Sequence, residues 1–306
     1  MHARTPPKAL LYGALVLHTT LSAGTYLIGK RALTELPALP LGMMRFTGAS
    51  VLLGLLLLKL KPKGLRLPPK EIRRKLLFLA VIAVPINQGF FLYGLQNSTA
   101  AHAALLYALT PLFVLLLAQA LLGEFPGWRT ALGTALALGG TIFILLEHGL
   151  DLSRGPLFGD LMIFVAVVAW AIYTTEGREL VAKYGALPTI AWTIITGTLI
   201  FLPVGMTALW LQRERLVQAS PQAWMGVAYL IVFTSVIAYL LWYWALGHLA
   251  AARVAIFSNL QPLFTATLAH FFLGERITAA FFAGAIVVIG GVLFAQRGAQ
   301  RGARHS

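Results

Sequence analysis

Ten runs of mostly apolar residues follow one another along the chain, joined by short polar links. They are read as helices at 9–31, 38–60, 76–96, 99–122, 127–147, 157–177, 187–211, 222–246, 249–272 and 277–296. At a rise of about 1.5 Å per residue, some ~20 such residues cross roughly 30 Å of hydrocarbon. In that medium every backbone polar group must find a partner inside the protein, which leaves helices or a closed barrel. The runs are too long for barrel strands and do not alternate apolar with polar. Composition agrees: 58% of the residues are hydrophobic and 11% charged, where soluble domains carry about a quarter charged. The expected fold is an all-α integral membrane protein of ten transmembrane helices, with no stretch left for a soluble domain.

Charge supplies the orientation. The link KPKGLRLPPKEIRRK after the second helix is strongly basic and is assigned to the cytoplasm, which places the N and C termini there as well. Of the 24 Lys and Arg residues, 17 then lie on the cytoplasmic side, six on the far side, and Arg45 within a span. The net charge of +14 therefore reads as membrane orientation and not as nucleic-acid binding. The N-terminal run resembles a signal peptide but is expected to stay as the first span, because it takes part in the repeat described next. Cysteine is absent, which excludes disulfides and thiol chemistry; no metal or cofactor is expected.

The segment YALTPLFVLLLAQALLGEFP, starting at Tyr107, returns as SNLQPLFTATLAHFFLGERI, starting at Ser258. A shift of 151 positions sets Pro111 on Pro262, Glu124 on Glu275, Gly133 on Gly284, and Gly139-Gly140 on Gly290-Gly291. A weaker match of Ser22–Lys30 with Trp170–Arg178 brings the first helix into the repeat. The units are then 1–150 and 151–296, five helices each, followed by a basic cytoplasmic tail at 297–306. Five is odd, so the second unit enters the membrane from the opposite face and the repeats are inverted.

Pro111 and Pro262 lie well inside their helices, where each removes an amide donor and frees the carbonyl one turn earlier, Tyr107 or Ser258. They are read as paired hinges or helix breaks beside a central cavity. Polar and aromatic residues at matching depth are read as its lining: Asn87, Gln88 and Phe91; Tyr107; Trp170 and Tyr173; Tyr239, Trp242 and Tyr243; Ser258, Asn259 and Gln261. Interhelical hydrogen bonding is the plainer use for the amides and hydroxyls among them. Ser22, Thr25 and Tyr26 give the first helix a polar stripe that packing explains equally well. His18 is read as a packed or cavity-edge histidine. Arg45 can bind a carboxylate, snorkel outward or cap the carbonyls of a neighbouring helix, and a structural role is preferred. Glu124 and Glu275, at helix ends, are read as ties between helices.

These residues also carry a resemblance. Arg45-Phe46, Pro111-Leu112 with Gly123-Glu124, Trp170 with Tyr173, Ala238-Tyr239 with Trp242, and Pro262-Leu263 with Gly274-Glu275 make the chain similar to EamA-type transporters of the drug/metabolite transporter superfamily. The first helix departs from that pattern, with Leu21-Ser22 where a Trp-Gly pair is usual. The resemblance implies a ten-helix, multi-pass carrier of the bacterial inner membrane, often an exporter of amino acids or other metabolites, working by alternating access. Aromatic walls and scarce buried charge favour aromatic or neutral amino acids; a lipid or drug carrier is the alternative. Partners are then a small-molecule substrate and the bilayer, with the protein a monomer or weak dimer. No acidic residue falls at mid-span, which favours facilitated diffusion or exchange over proton coupling. An intramembrane enzyme is not expected, since no Ser-His pairing, HExxH or phosphate loop is present.

Overall fold

The computed structural model describes residues 6–60, 70–98, 100–123, 127–147, 157–273 and 279–302. The chain is almost wholly helical there. Its helices are α1 (Lys8–Glu35), α2 (Ala38–Leu60), α3 (Lys70–Asn97), α4 (Ala100–Tyr107), α5 (Thr110–Leu122), α6 (Trp128–Glu147) and α7 (Leu157–Tyr184). There follow α8 (Ala186–Leu211), the short α9 (Arg213–Gln218), α10 (Pro221–Leu246), α11 (Ala251–Ala255), α12 (Gln261–Leu273) and α13 (Ala279–Gly302). Among the described residues six of these, α1, α2, α3, α7, α8 and α10, are long and apolar enough to cross a membrane. Large apolar side chains such as Leu55, Leu58, Leu199 and Ile286 stand exposed on the outside, which hydrocarbon tolerates and water does not. Helix α13 runs to Gly302, into the segment read as a tail. Glu124, Gly274 and Glu275 lie outside the described residues.

The expected breaks are present. The run 99–122 divides into α4 and α5 around Ala108-Leu109, just before Pro111. In the run 249–272, α11 passes through a 3₁₀ turn, Ile256–Leu260, into α12, whose second residue is Pro262. The 151-residue shift carries Ala108-Leu109 onto Asn259-Leu260, so both irregular segments occupy the same place in the repeat. Each proline starts a helix, where its missing N–H is no loss. Two glycines close helices by geometry that other residues avoid. Gly123 ends α5 at φ 62°, and Gly185 (φ 85°) is the one-residue link between α7 and α8.

Two of the matched helix pairs pack against each other and run antiparallel. In α6 and α13, Gly133 meets the Gly291 carbonyl and Ala295, while Gly140 meets Gly284 and Val288. The shift exchanges Gly133 with Gly284 and Gly140 with Gly291, so these two contacts map onto one another. In α2 and α8, Gly205 lies on Met43, Thr198 bonds Ser50 at 2.9 Å, and Ile195 faces Gly54. Small residues let the backbones approach, and close packing is what holds helices together where no water is present to drive them inward.

Three helices widen locally into π turns: Thr25–Gly29 in α1, Ile82–Gly89 in α3 and Leu230–Ala238 in α10. In α3 the cause is in the sequence, since Pro85 cannot close the ordinary i→i−4 bond. All three wide turns face one place, the centre of the bundle.

Candidate functional site

A cavity of about 60 Å³ lies where α1, α2, α3, α4, α7, α10 and α12 converge. The first half lines it with His18, Ser22, Thr25, Tyr26, Arg45, Gln88, Phe91 and Tyr107. The second half contributes Trp170, Thr234, Tyr239 and Gln261. Each π turn supplies at least one of these residues, in keeping with the frequency of such distortions at functional sites. Two aromatic groups form the walls. Tyr26, Phe91 and Tyr107 meet edge to face with ring centroids 5.3–6.2 Å apart; opposite, Trp170 packs on Tyr239 at 5.3 Å.

Arg45 is the cavity's charge. It is 2% exposed, and Nε donates to Ser235 Oγ (2.7 Å), Nη1 to Gln88 Oε1 (2.9 Å) and Nη2 to Thr234 Oγ1 (3.1 Å). It neither snorkels nor caps carbonyls, contrary to those two sequence readings, because side-chain oxygens from α3 and α10 already reach it. Among the described residues no carboxylate stands within ion-pair distance of it.

From Arg45 the polar groups set one another's direction. A guanidinium only donates, so Gln88 must turn its oxygen toward it. The Gln88 amide nitrogen then donates to Asn87 Oδ1, and Asn87 Nδ2 donates to Ala166 O (2.6 Å) and Tyr107 Oη (3.2 Å). Tyr26 donates to Gln261 Oε1 at 3.2 Å, across the two halves. His18 lies 2.7 Å by Nδ1 from the Ala238 carbonyl. A carbonyl accepts only, so the imidazole proton sits on Nδ1 and Nε2 is the ring's acceptor. His18 also packs on Trp242 at 4.6 Å, so it is both packed and at the cavity.

Of the residues read as lining, Gln88, Phe91, Tyr107, Trp170, Tyr239 and Gln261 face the cavity; Asn87, Tyr173, Trp242, Tyr243, Ser258 and Asn259 do not. Asn87 holds Gln88 and Tyr107 in place from behind. Tyr173 bonds Thr193 at 2.8 Å, Trp242 Nε1 donates to Thr174 at 3.3 Å, and Tyr243 donates to the Tyr173 carbonyl at 2.8 Å. These three support the wall that Trp170 and Tyr239 present. Ser258 and Asn259 are buried in the 3₁₀ turn, where neither side-chain atom of Asn259 has a hydrogen-bond partner among the described residues. Pro111 is buried at the start of α5, and Pro262 is the second residue of α12, beside cavity-lining Gln261. Sequence reasoning missed Thr234. It sits five residues before Tyr239, the i→i+5 spacing of a π turn and off-face for an α-helix.

A polar, aromatic-walled cavity between two copies of one helical unit, under an apolar exterior, is the build of a membrane solute carrier. The chain belongs to the EamA-like transporter family, whose model matches it twice, over residues 9–146 and 157–296. It is 30% identical to an uncharacterized transporter of Archaeoglobus fulgidus over 282 residues, 91% of this chain and 94% of that one. The uncharacterized transporters YetK and YyaM of Bacillus subtilis are 27% and 28% identical, covering 92% and 71% of this chain and 85% and 71% of their own. A solved crystal structure shares the fold, with a TM-score of 0.73 and 18% identity over 96% of this chain and 99% of the other.

Proposed function

We propose that the chain is a secondary exporter of small metabolites, with aromatic or neutral amino acids first among them. Ten spans in two inverted sets of five would enclose the cavity in a bacterial inner membrane, with both termini in the cytoplasm. The carrying observation is that Gln88 and Tyr239, which the 151-residue shift exchanges, line the same cavity. This supports a pseudo-symmetry axis through the cavity, by which a structure open to one face would have a counterpart open to the other when the halves swap conformations. No described carboxylate lines the cavity, which supports exchange or facilitated diffusion and disfavours hydrophobic cations as cargo.

Counterflow of labelled amino acids in proteoliposomes tests the reading. Gln88→Ala and Tyr239→Ala should lower the rate while the protein remains folded; parent rates in both would remove the cavity from the transport path. Trp242→Ala is a poor probe, because truncating a fully buried tryptophan costs about 3–5 kcal/mol of stability by itself.

A further inference from the structure

We infer that the cavity recognises its substrate by a carboxylate, with Arg45 as counter-ion; this deepens the transporter reading and rests on it. A guanidinium taken out of water is strongly unfavourable unless its charge is answered. Among the described residues no carboxylate answers Arg45: the Phe46 ring lies 5.0 Å from its guanidinium carbon, and the neutral oxygens of Gln88, Thr234 and Ser235 accept from it. Three of its five N–H groups are thereby used, leaving one hydrogen on each terminal nitrogen.

The surrounding groups have donors left over as well. Thr234 spends its proton on the Leu230 carbonyl at 2.7 Å and can only accept from Arg45. Tyr107 accepts from Asn87, which leaves its own O–H to donate. Gln88 has a second amide hydrogen beyond the one given to Asn87. Tyr239 is buried at the cavity wall and its hydroxyl has no partner among the described residues. One positive charge and several unspent donors facing one space suit an anion, and the fork of Arg45 suits the planar, two-oxygen form of a carboxylate. An amino acid and a simple organic acid share that group.

The test uses purified full-length protein in detergent, with binding read by tryptophan fluorescence and thermal shift. The probes are acetate, 4-methylpentanoate, 3-phenylpropionate and L-leucine, each beside its amide, with chloride against gluconate as the inorganic control. At least one acid should bind roughly thirtyfold tighter than its amide or more, the scale set by leaving a buried charge unpaired. Arg45→Gln should erase that preference, and Tyr239→Phe should weaken acid binding with the thermal midpoint unchanged. L-Leucine binding without 4-methylpentanoate would identify amino acids as the source of the carboxylate, and the reverse would identify organic acids. Amides binding as well as acids, no acid binding to the folded parent, or chloride alone binding would each overturn the inference. Acids that bind but never cross a proteoliposome membrane would end the transporter reading instead, and transport of amides in place of acids would end only this one.

Discussion

Asn87 and Gln88 are sequence neighbours with different duties, and the difference is steric. Gln88 reaches the cavity and Arg45, while Asn87 points back into α7 and bonds the Ala166 carbonyl. The two tyrosines of α10 divide similarly. Tyr243 donates to a backbone carbonyl, so Tyr243→Phe should lower stability by about 1 kcal/mol, measured by thermal unfolding in detergent. Tyr239 has no such bond to lose. Tyr239→Phe should therefore leave the melting temperature unchanged and reduce counterflow, and a normal rate would show that the hydroxyl never meets substrate. That these residues are polar and within spans was legible in the sequence. Which face each would take was not, because the π turns of α3 and α10 change the phase on which a 3.6-residue reading depends.

At the scale of elements, the breaks before Pro111 and at Pro262 followed from the missing amide alone. The glycine pairs did not yield so readily. Gly290 and Gly291 are indistinguishable as sequence, yet a methyl at Gly290 meets nothing within 4 Å, while one at Gly291 would lie 2.6 Å from the Ala137 nitrogen and 2.7 Å from the Gly133 carbonyl. Gly290→Ala should hold or raise stability by about 0.5–1 kcal/mol through helix propensity. Gly291→Ala should lower it by about 1–3 kcal/mol, since backbone cannot move aside for the added carbon. In the other copy, Gly139 faces open space and Gly140 packs against Gly284 and Val288, so the same contrast should recur there. Thermal unfolding of the four single variants checks it, and a uniform response would mean that α6 and α13 do not meet as described.

For the whole molecule the proposed topology is open to a direct measurement. The chain contains no cysteine, so single cysteines need no altered background. Lys183→Cys, near the end of α7, should react with an impermeant maleimide only from the cytoplasmic side, and Val217→Cys, in α9, only from the far side. Labelling of both from one face would mean that α8 does not cross the membrane and would end the inverted arrangement, while exchanged faces would reverse the proposed orientation. Coupling belongs to the same scale. With no described carboxylate in the cavity, an imposed pH gradient should change counterflow less than about twofold, where a proton-driven carrier would follow the gradient by mass action. Strong acceleration would point to His18, the titratable imidazole in the lining.

The sequence by itself determined the helical membrane character, the two copies, and the positions of the breaks. Each follows from a local cause: the length of an apolar run, a repeated string, or a ring closed on a backbone nitrogen. Only the tertiary structure decided that Arg45 turns inward to three neutral oxygens, that Thr234 joins Tyr239 on one face, and that Trp242 and Tyr243 stand behind the wall they were expected to form. Those outcomes depend on the pitch of a helix and on what its neighbours leave unpaired. Both are settled between distant segments and leave no mark in any one of them.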